Sequence, residues 1–141
     1  MTQLLWSESL RTYIPEIDDQ HMQLFSAASQ LRESISQGDG KSAIKSVLLF
    51  LVEYTQIHFA AEEGFLQAAG YPGLESHRRA HGAFVSRLLE FIERPLHTKP
   101  DELLTFIETW LVEHVSKTDR EFVPCLLAAR SRWTVQKSPA I

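Results

Sequence analysis

Four stretches of the chain repeat residues of buried type at alternating steps of three and four, which is the spacing of one face of an α-helix. Turn signals separate them: a Gln-Gly-Asp-Gly run, a Gly-Tyr-Pro-Gly run and an Arg-Pro pair. The predicted helices span roughly residues 18–37, 41–69, 74–94 and 101–131, and such short connections place each helix antiparallel to its neighbour in sequence. The sequence therefore predicts an all-α fold, an up-down-up-down antiparallel four-helix bundle with an extended N-terminal arm.

Length and composition narrow the class of protein further. A chain of 141 residues, 44% of them hydrophobic, can bury a core as one domain over residues 1–141. The net charge of -4 and the scattered Lys and Arg residues argue against a nucleic-acid partner. The longest apolar run, Val47 to Val52, is far shorter than the roughly 20 residues that cross a membrane. With a lone Cys125 and no secretory signal in the first residues, we expect a cytoplasmic protein.

Several polar side chains occupy positions where the helical stripes call for apolar ones. These residues are His21, His58, Glu62, His77, His81 and His114. A buried imidazole or carboxylate costs free energy unless it is paired, hydrogen-bonded or bound to a metal. His58 and Glu62 are four residues apart, so both side chains can face one ion. His77 and His81 have the same spacing. The pattern indicates a metal site in the core of the bundle.

Asp119 is a further candidate ligand, with a less favourable spacing. It lies five residues after His114, about 140° around an ideal helix. The two side chains share a site only if the helix widens locally, as in a π-type bulge. A solvated carboxylate that pairs with Arg120 or a lysine is an equally good interpretation from the spacing alone. His97 lies in the proline-bounded linker, off every stripe, and is interpreted as an exposed residue without a role.

Taken in order, these motifs resemble the hemerythrin signature, and the likeness extends over nearly the whole chain. The residues that carry it are His21, His58-Phe59-Ala60-Ala61-Glu62-Glu63, His77-Arg78-Arg79-Ala80-His81 and His114-Val115-Ser116-Lys117-Thr118-Asp119, together with Trp6, Gly70-Tyr71-Pro72 and Trp110-Leu111. As a free-standing domain, the chain is similar to the bacterial hemerythrins.

The resemblance implies two non-haem iron ions, joined by an oxo or hydroxo group, that bind dioxygen. By this resemblance, His77, His81 and His114 bind one iron, and His21 and His58 bind the other. Glu62 and Asp119 bridge the two irons. The iron with two histidines has an open position for dioxygen. The implied function is reversible oxygen binding for transport, storage or delivery by a monomer that is not an enzyme. An oxygen-consuming enzyme could be the recipient.

Three apolar residues are expected to wall the oxygen pocket. Phe59, Leu24 and Leu111 each lie within one helical turn of a predicted histidine ligand. For Leu111 the resemblance adds weight, because a leucine at the Trp-Leu-x-x-His position borders the oxygen pocket in hemerythrins. Ordinary core packing is the alternative for all three, and for Leu24 it is almost as well supported.

Other functions of a helical di-iron protein remain as alternatives. A ferritin-like oxidase uses Glu-x-x-His motifs, and this chain contains none. The remaining alternatives are an oxygen or redox sensing module, a peroxidase-like enzyme and an iron-storage protein. The histidine-rich ligand set favours reversible binding over these functions.

Overall fold

The computed structural model describes residues 6–94 and 97–137. Its α-helices are α1 (Pro15–Ser36), α2 (Gly40–Ala69), α3 (Leu74–Glu93), α4 (Pro100–Glu113) and α5 (Asp119–Lys137). A π-helical segment, His114–Thr118, joins α4 to α5 without a break, so these three elements form the fourth column of the bundle. The described residues contain no β-strand.

The helices form the predicted up-down-up-down four-helix bundle, which confirms the expected fold class. Helix α1 packs against α2 and α4, and α2 also packs against α3 and α5. Ahead of α1 the chain makes one turn of 3-10 helix, Glu8–Leu10. The start of the predicted arm, residues 1–5, lies outside the described residues. No helix in the described ranges is long and apolar enough to cross a bilayer.

Helix α1 begins at Pro15, three residues before the predicted start at residue 18. Proline suits the first helical position because its missing N–H has no partner there in any case. Asp18 accepts hydrogen bonds from the backbone N–H and the hydroxyl of Thr12, both at 2.8 Å, and from the N–H of Tyr13 at 3.2 Å. The carboxylate therefore holds the incoming chain against the first turn of the helix.

Helix α2 ends at Ala69, as predicted, because Gly70 adopts a left-handed conformation with φ of 70°. The N–H of Tyr71 then donates to the carbonyl of Leu66 at 3.0 Å, which satisfies a carbonyl at the end of the helix. This turn sends the chain back along the bundle. The histidines of α3 consequently come to lie opposite the ligands predicted on α2.

The interior contains two apolar clusters with the predicted ligands between them. The large apolar core includes Leu24, Leu31, Leu48, Phe59, Phe84, Leu88, Ile107 and Leu111. The small apolar core consists of Ile14, Ile17, Leu66, Phe122 and Leu126. Burial of each such leucine or phenylalanine contributes about 1.5–3 kcal/mol relative to exposure. On α1, on α2 and on the fourth column the predicted ligands lie in sequence between members of the two clusters. On α3 the partly buried Leu74 packs against the small apolar core and Phe84 belongs to the large one, so apolar residues enclose the polar layer from both ends.

Candidate metal centre

All seven predicted ligands are buried and converge on one polar layer of the bundle, which we call the metal layer. None is more than 4% exposed. Their ligand atoms form two overlapping groups in which all atoms lie within 4.8 Å of one another. The larger group consists of Glu62, His77, His81, His114 and Asp119, and the smaller group consists of His21, His58 and Glu62. We refer to the position inside the larger group as the three-histidine position and to the other as the two-histidine position.

Glu62 lies between the two positions and presents one oxygen to each. Its Oε1 is 2.6 Å from Nε2 of His77 and 3.1 Å from Nε2 of His81. Its Oε2 is 3.3 Å from Nε2 of His58 and 3.5 Å from Nε2 of His21. A carboxylate with this orientation can bridge two cations.

Asp119 has the same kind of orientation from the opposite column. Its Oδ1 is 3.0 Å from Nε2 of His114 and 3.2 Å from Nε2 of His77, and its Oδ2 is 3.0 Å from Nε2 of His21. The N–H of Asp119 donates to the carbonyl of His114, five residues earlier, at the end of the π-helical segment. This is the local widening that the five-residue spacing required. Asp119 is completely buried, so its interpretation as a solvated carboxylate is wrong.

Buried polar atoms in this layer lack hydrogen-bond partners. In the described part of the chain they include Nε2 of His21, Oε2 of Glu62 and both carboxylate oxygens of Asp119. An unsatisfied buried donor or acceptor costs about 1–3 kcal/mol, so four such atoms in one layer need a partner. Cations between them would satisfy all four. Because the donors are mainly imidazole nitrogens, they suit a transition metal such as iron better than magnesium or calcium.

The electrostatics show how the layer can be balanced without a metal. Burial raises the pKa of Glu62, but the hydrogen bond with His77 and the close approach of His21, His58 and His81 outweigh burial and hold the pKa well below its ordinary value. Burial also raises the pKa of Asp119, and again the histidines lower it. Burial lowers the pKa of His21 and of His77, but the two carboxylates raise both to about 9. At neutral pH, protons on these two histidines can therefore offset the charges of the two carboxylates.

Two residues that the sequence reasoning missed contact the histidines from outside the layer. Oε1 of Gln20 lies 2.7 Å from Nδ1 of His58, and Oε2 of Glu63 lies 2.8 Å from Nδ1 of His81. Both residues are next to a predicted ligand in sequence, and that adjacency was the only available signal.

Aromatic rings cover the histidines on the side of the large apolar core. The ring of Phe59 stacks on that of His81 with centroids 3.8 Å apart, and the ring of Trp110 stacks on that of His114 at 4.2 Å. Trp110 was not predicted to border the site, although it lies one turn before His114. Leu24 and Leu111 are buried in the same core. His97 is exposed and belongs to neither ligand group.

A four-helix bundle that encloses five histidines and two carboxylates, each facing both sets of histidines, defines a non-haem metal-binding protein. Residues 12–126 match the model of the hemerythrin HHE cation binding domain. The chain therefore belongs to the hemerythrin family, which confirms the resemblance seen in the sequence. Membership implies that the histidine and carboxylate cluster binds iron.

Individual relatives agree with this assignment. The chain is 32% identical over 140 residues to a bacteriohemerythrin of Pseudomonas aeruginosa, and the match covers 98% of this chain and 91% of the relative. It is 33% identical over 118 residues to a hemerythrin of Sipunculus nudus, covering 84% and 89%. A crystal structure of wild-type hemerythrin superposes with a TM-score of 0.78 at 27% identity, covering 89% of this chain and 98% of that one.

Proposed function

We propose that this protein binds dioxygen reversibly at a non-haem di-iron centre, for oxygen transport, storage or delivery. The observation that carries the proposal is the orientation of Glu62 and Asp119, each with one oxygen toward each set of histidines. Two carboxylates with this arrangement favour a pair of cations over a single one.

The proposed three-histidine position holds one iron through His77, His81 and His114. The two-histidine position would hold the other through His21 and His58, and an oxo or hydroxo group would join the two irons in addition to Glu62 and Asp119. The second iron has one histidine fewer than the first and is therefore one ligand short. Iron bound there would offer dioxygen an open coordination position, and the two irons together would supply the electrons.

The polypeptide itself contributes a rigid apolar pocket from which water is excluded. Leu24, Phe59 and Leu111 belong to the large apolar core next to the polar layer, and we assign them to the wall of the oxygen pocket. Excluding water from such a pocket suppresses side reactions of whatever is bound there. The rigid helices meanwhile hold the ligand nitrogens in place.

Reversible binding is favoured over catalysis because the ligands are rich in histidine and the chain contains no Glu-x-x-His motif. The proposal includes a single domain over residues 1–141, a monomeric state, a cytoplasmic location and an oxygen-consuming enzyme as recipient.

The decisive experiment cycles the iron-loaded protein between oxygen and its absence. The protein is reduced anaerobically, exposed to air and flushed with inert gas while its absorption spectrum is recorded. Spectral changes that reverse over repeated cycles, with two irons per chain by elemental analysis, are the expected result. Steady consumption of oxygen with release of water or peroxide would identify an oxidase or peroxidase-like enzyme instead. Loading with one iron, or with zinc at full occupancy in iron-rich medium, would contradict a di-iron centre.

A further inference from the structure

The two metal positions differ in the groups that contact their histidines from outside. On the three-histidine side, Nδ1 of His81 lies 2.8 Å from a carboxylate oxygen of Glu63. On the two-histidine side, Nδ1 of His58 lies 2.7 Å from the amide oxygen of Gln20. The distances are nearly equal, but one partner carries a negative charge and the other is neutral.

The carboxylate partner determines which nitrogen of His81 carries the proton. An ionised carboxylate only accepts hydrogen bonds, so Nδ1 must donate, and Nε2 then points its lone pair into the metal layer. There it lies 3.1 Å from Oε1 of Glu62. Gln20 imposes a weaker constraint on His58, because an amide can present either its oxygen or its NH2 group.

The position of Glu63 is itself held by the neighbouring helix. Nε of Arg78 on α3 lies 3.3 Å from Oε1 of Glu63 on α2, and the guanidinium also pairs with Glu75 at 2.6 Å. One oxygen of Glu63 thus faces arginine and the other faces His81. Its side chain is only 22% exposed, so solvent screens its charge less than that of an ordinary surface ion pair.

We propose that Glu63 and Gln20 are positioning residues of the metal centre, and that the charge of Glu63 adds to the cation affinity of the three-histidine position beyond what its additional histidine provides. This inference rests on the proposed di-metal function. A charged acceptor strengthens the hydrogen bond from Nδ1–H and makes the imidazole a stronger donor to a cation. The neutral partner leaves the two-histidine position weaker. If Glu63 only stabilises the bundle through its salt bridge to Arg78, removing its charge should not weaken one metal position more than the other.

The test is a titration of the full-length, metal-free protein with Co(II), in competition with a chelator. Visible absorption of the Co(II) bands gives the affinity of each of two steps. Glu63→Gln keeps an oxygen acceptor for His81 but removes the charge. We expect it to weaken the tighter step by about 10–100-fold, the usual effect of removing such a partner, and to leave the weaker step nearly unchanged. Gln20→Glu should tighten the weaker step.

Glu75→Gln is the matched control. It also removes a carboxylate that pairs with Arg78, but the side chain of Glu75 is 74% exposed and pairs with the arginine on the surface. It should leave both steps unchanged. A second measurement is the paramagnetically shifted Nδ1–H proton signal of His81 in the cobalt protein. Glu63→Gln should move this signal, and Glu75→Gln should not.

The outcomes separate this inference from the function on which it rests. Two cobalt steps in the wild type, with Glu63→Gln weakening both by the same factor or neither, would overturn the role of Glu63 alone. A wild-type protein that binds only one Co(II) ion would overturn the two-metal function and this inference with it.

Discussion

The large apolar core and the metal layer are buried to the same extent but satisfied in opposite ways. Leu31 and Leu88 are fully buried, and so are His21, Glu62 and Asp119. Packing against other side chains satisfies the leucines completely, whereas the polar residues retain buried atoms without hydrogen bonds. The two regions are therefore equally buried but do not stabilise the fold equally. The apolar residues hold the bundle together, and the metal layer depends on cations or protons that the polypeptide does not supply.

The arrangement of the layers follows from this difference. A polar layer at one end of the bundle would be open to water, which would hydrate its carboxylates. Between the large and small apolar cores, the carboxylate oxygens of Glu62 and Asp119 instead face the ring nitrogens of the histidines. The surrounding packing contributes the free energy that keeps an otherwise unfavourable cluster intact.

The largest expected effect comes from removing a bridging carboxylate. Glu62→Ala should abolish stable iron binding at both positions, because each oxygen of Glu62 faces a different set of histidines. Asp119→Ala should act in the same direction. The measurement is iron per chain after reconstitution and desalting. His97→Ala is the control and should retain all the iron. If Asp119→Ala kept both irons while His97→Ala lost them, the ligand assignment would be wrong.

A truncation in the large apolar core should separate stability from metal binding. Leu31→Ala removes a fully buried side chain and should lower the free energy of unfolding by about 2–5 kcal/mol. Because Leu31 is not a ligand, the folded variant should still bind the wild-type amount of iron. Urea unfolding and elemental analysis measure the two effects. A proportional loss of iron from protein that is still folded would mean that the two regions are not independent.

Raising the pH should destabilise the metal-free protein, because histidines of the metal layer lose their protons. Burial lowers the pKa of His21 and His77, but the adjacent carboxylates raise both from 6.5 to about 9. The resulting stabilisation is fully present below pH 6.5 and is lost as the pH rises through 9. The unfolding temperature of the metal-free protein should fall over this range, and that of the iron-loaded protein should stay nearly constant. Equal profiles for the two forms would show that these histidines carry no extra protons.

The smallest expected effect concerns the boundary between the two regions. If Leu111 walls the oxygen pocket, Leu111→Ala should speed autoxidation of the oxygenated protein several-fold, because water and protons enter more easily. Leu31→Ala, an equally large truncation farther along the core, is the control. The decay of the oxygenated absorption band gives both rates, after iron content and folding have been checked. Equal rates in the two variants would show that Leu111 only packs in the core and does not protect the oxygen pocket.

Much of the fold could be predicted because helical periodicity is a local property. The end of α2 at Ala69 follows from Gly70, which tolerates the left-handed conformation. The predicted start of α1 is three residues too late, because the helix begins at Pro15 and Asp18, near its first turn, bonds back to Thr12 in the folded chain. That contact depends on how the N-terminal segment folds back, which no helical pattern encodes.

For the candidate site, the sequence by itself determined which residues face the interior, because a polar side chain on an apolar stripe is visible in one helix at a time. It also showed that His114 and Asp119 could share a site only if the helix widened between them, and it left a solvated Asp119 as an equal alternative. Only the tertiary structure decided that Asp119 reaches His21 on another column and that Glu63 contacts His81. Such contacts depend on the rotation and axial register of one helix against another, and packing of the whole bundle sets both.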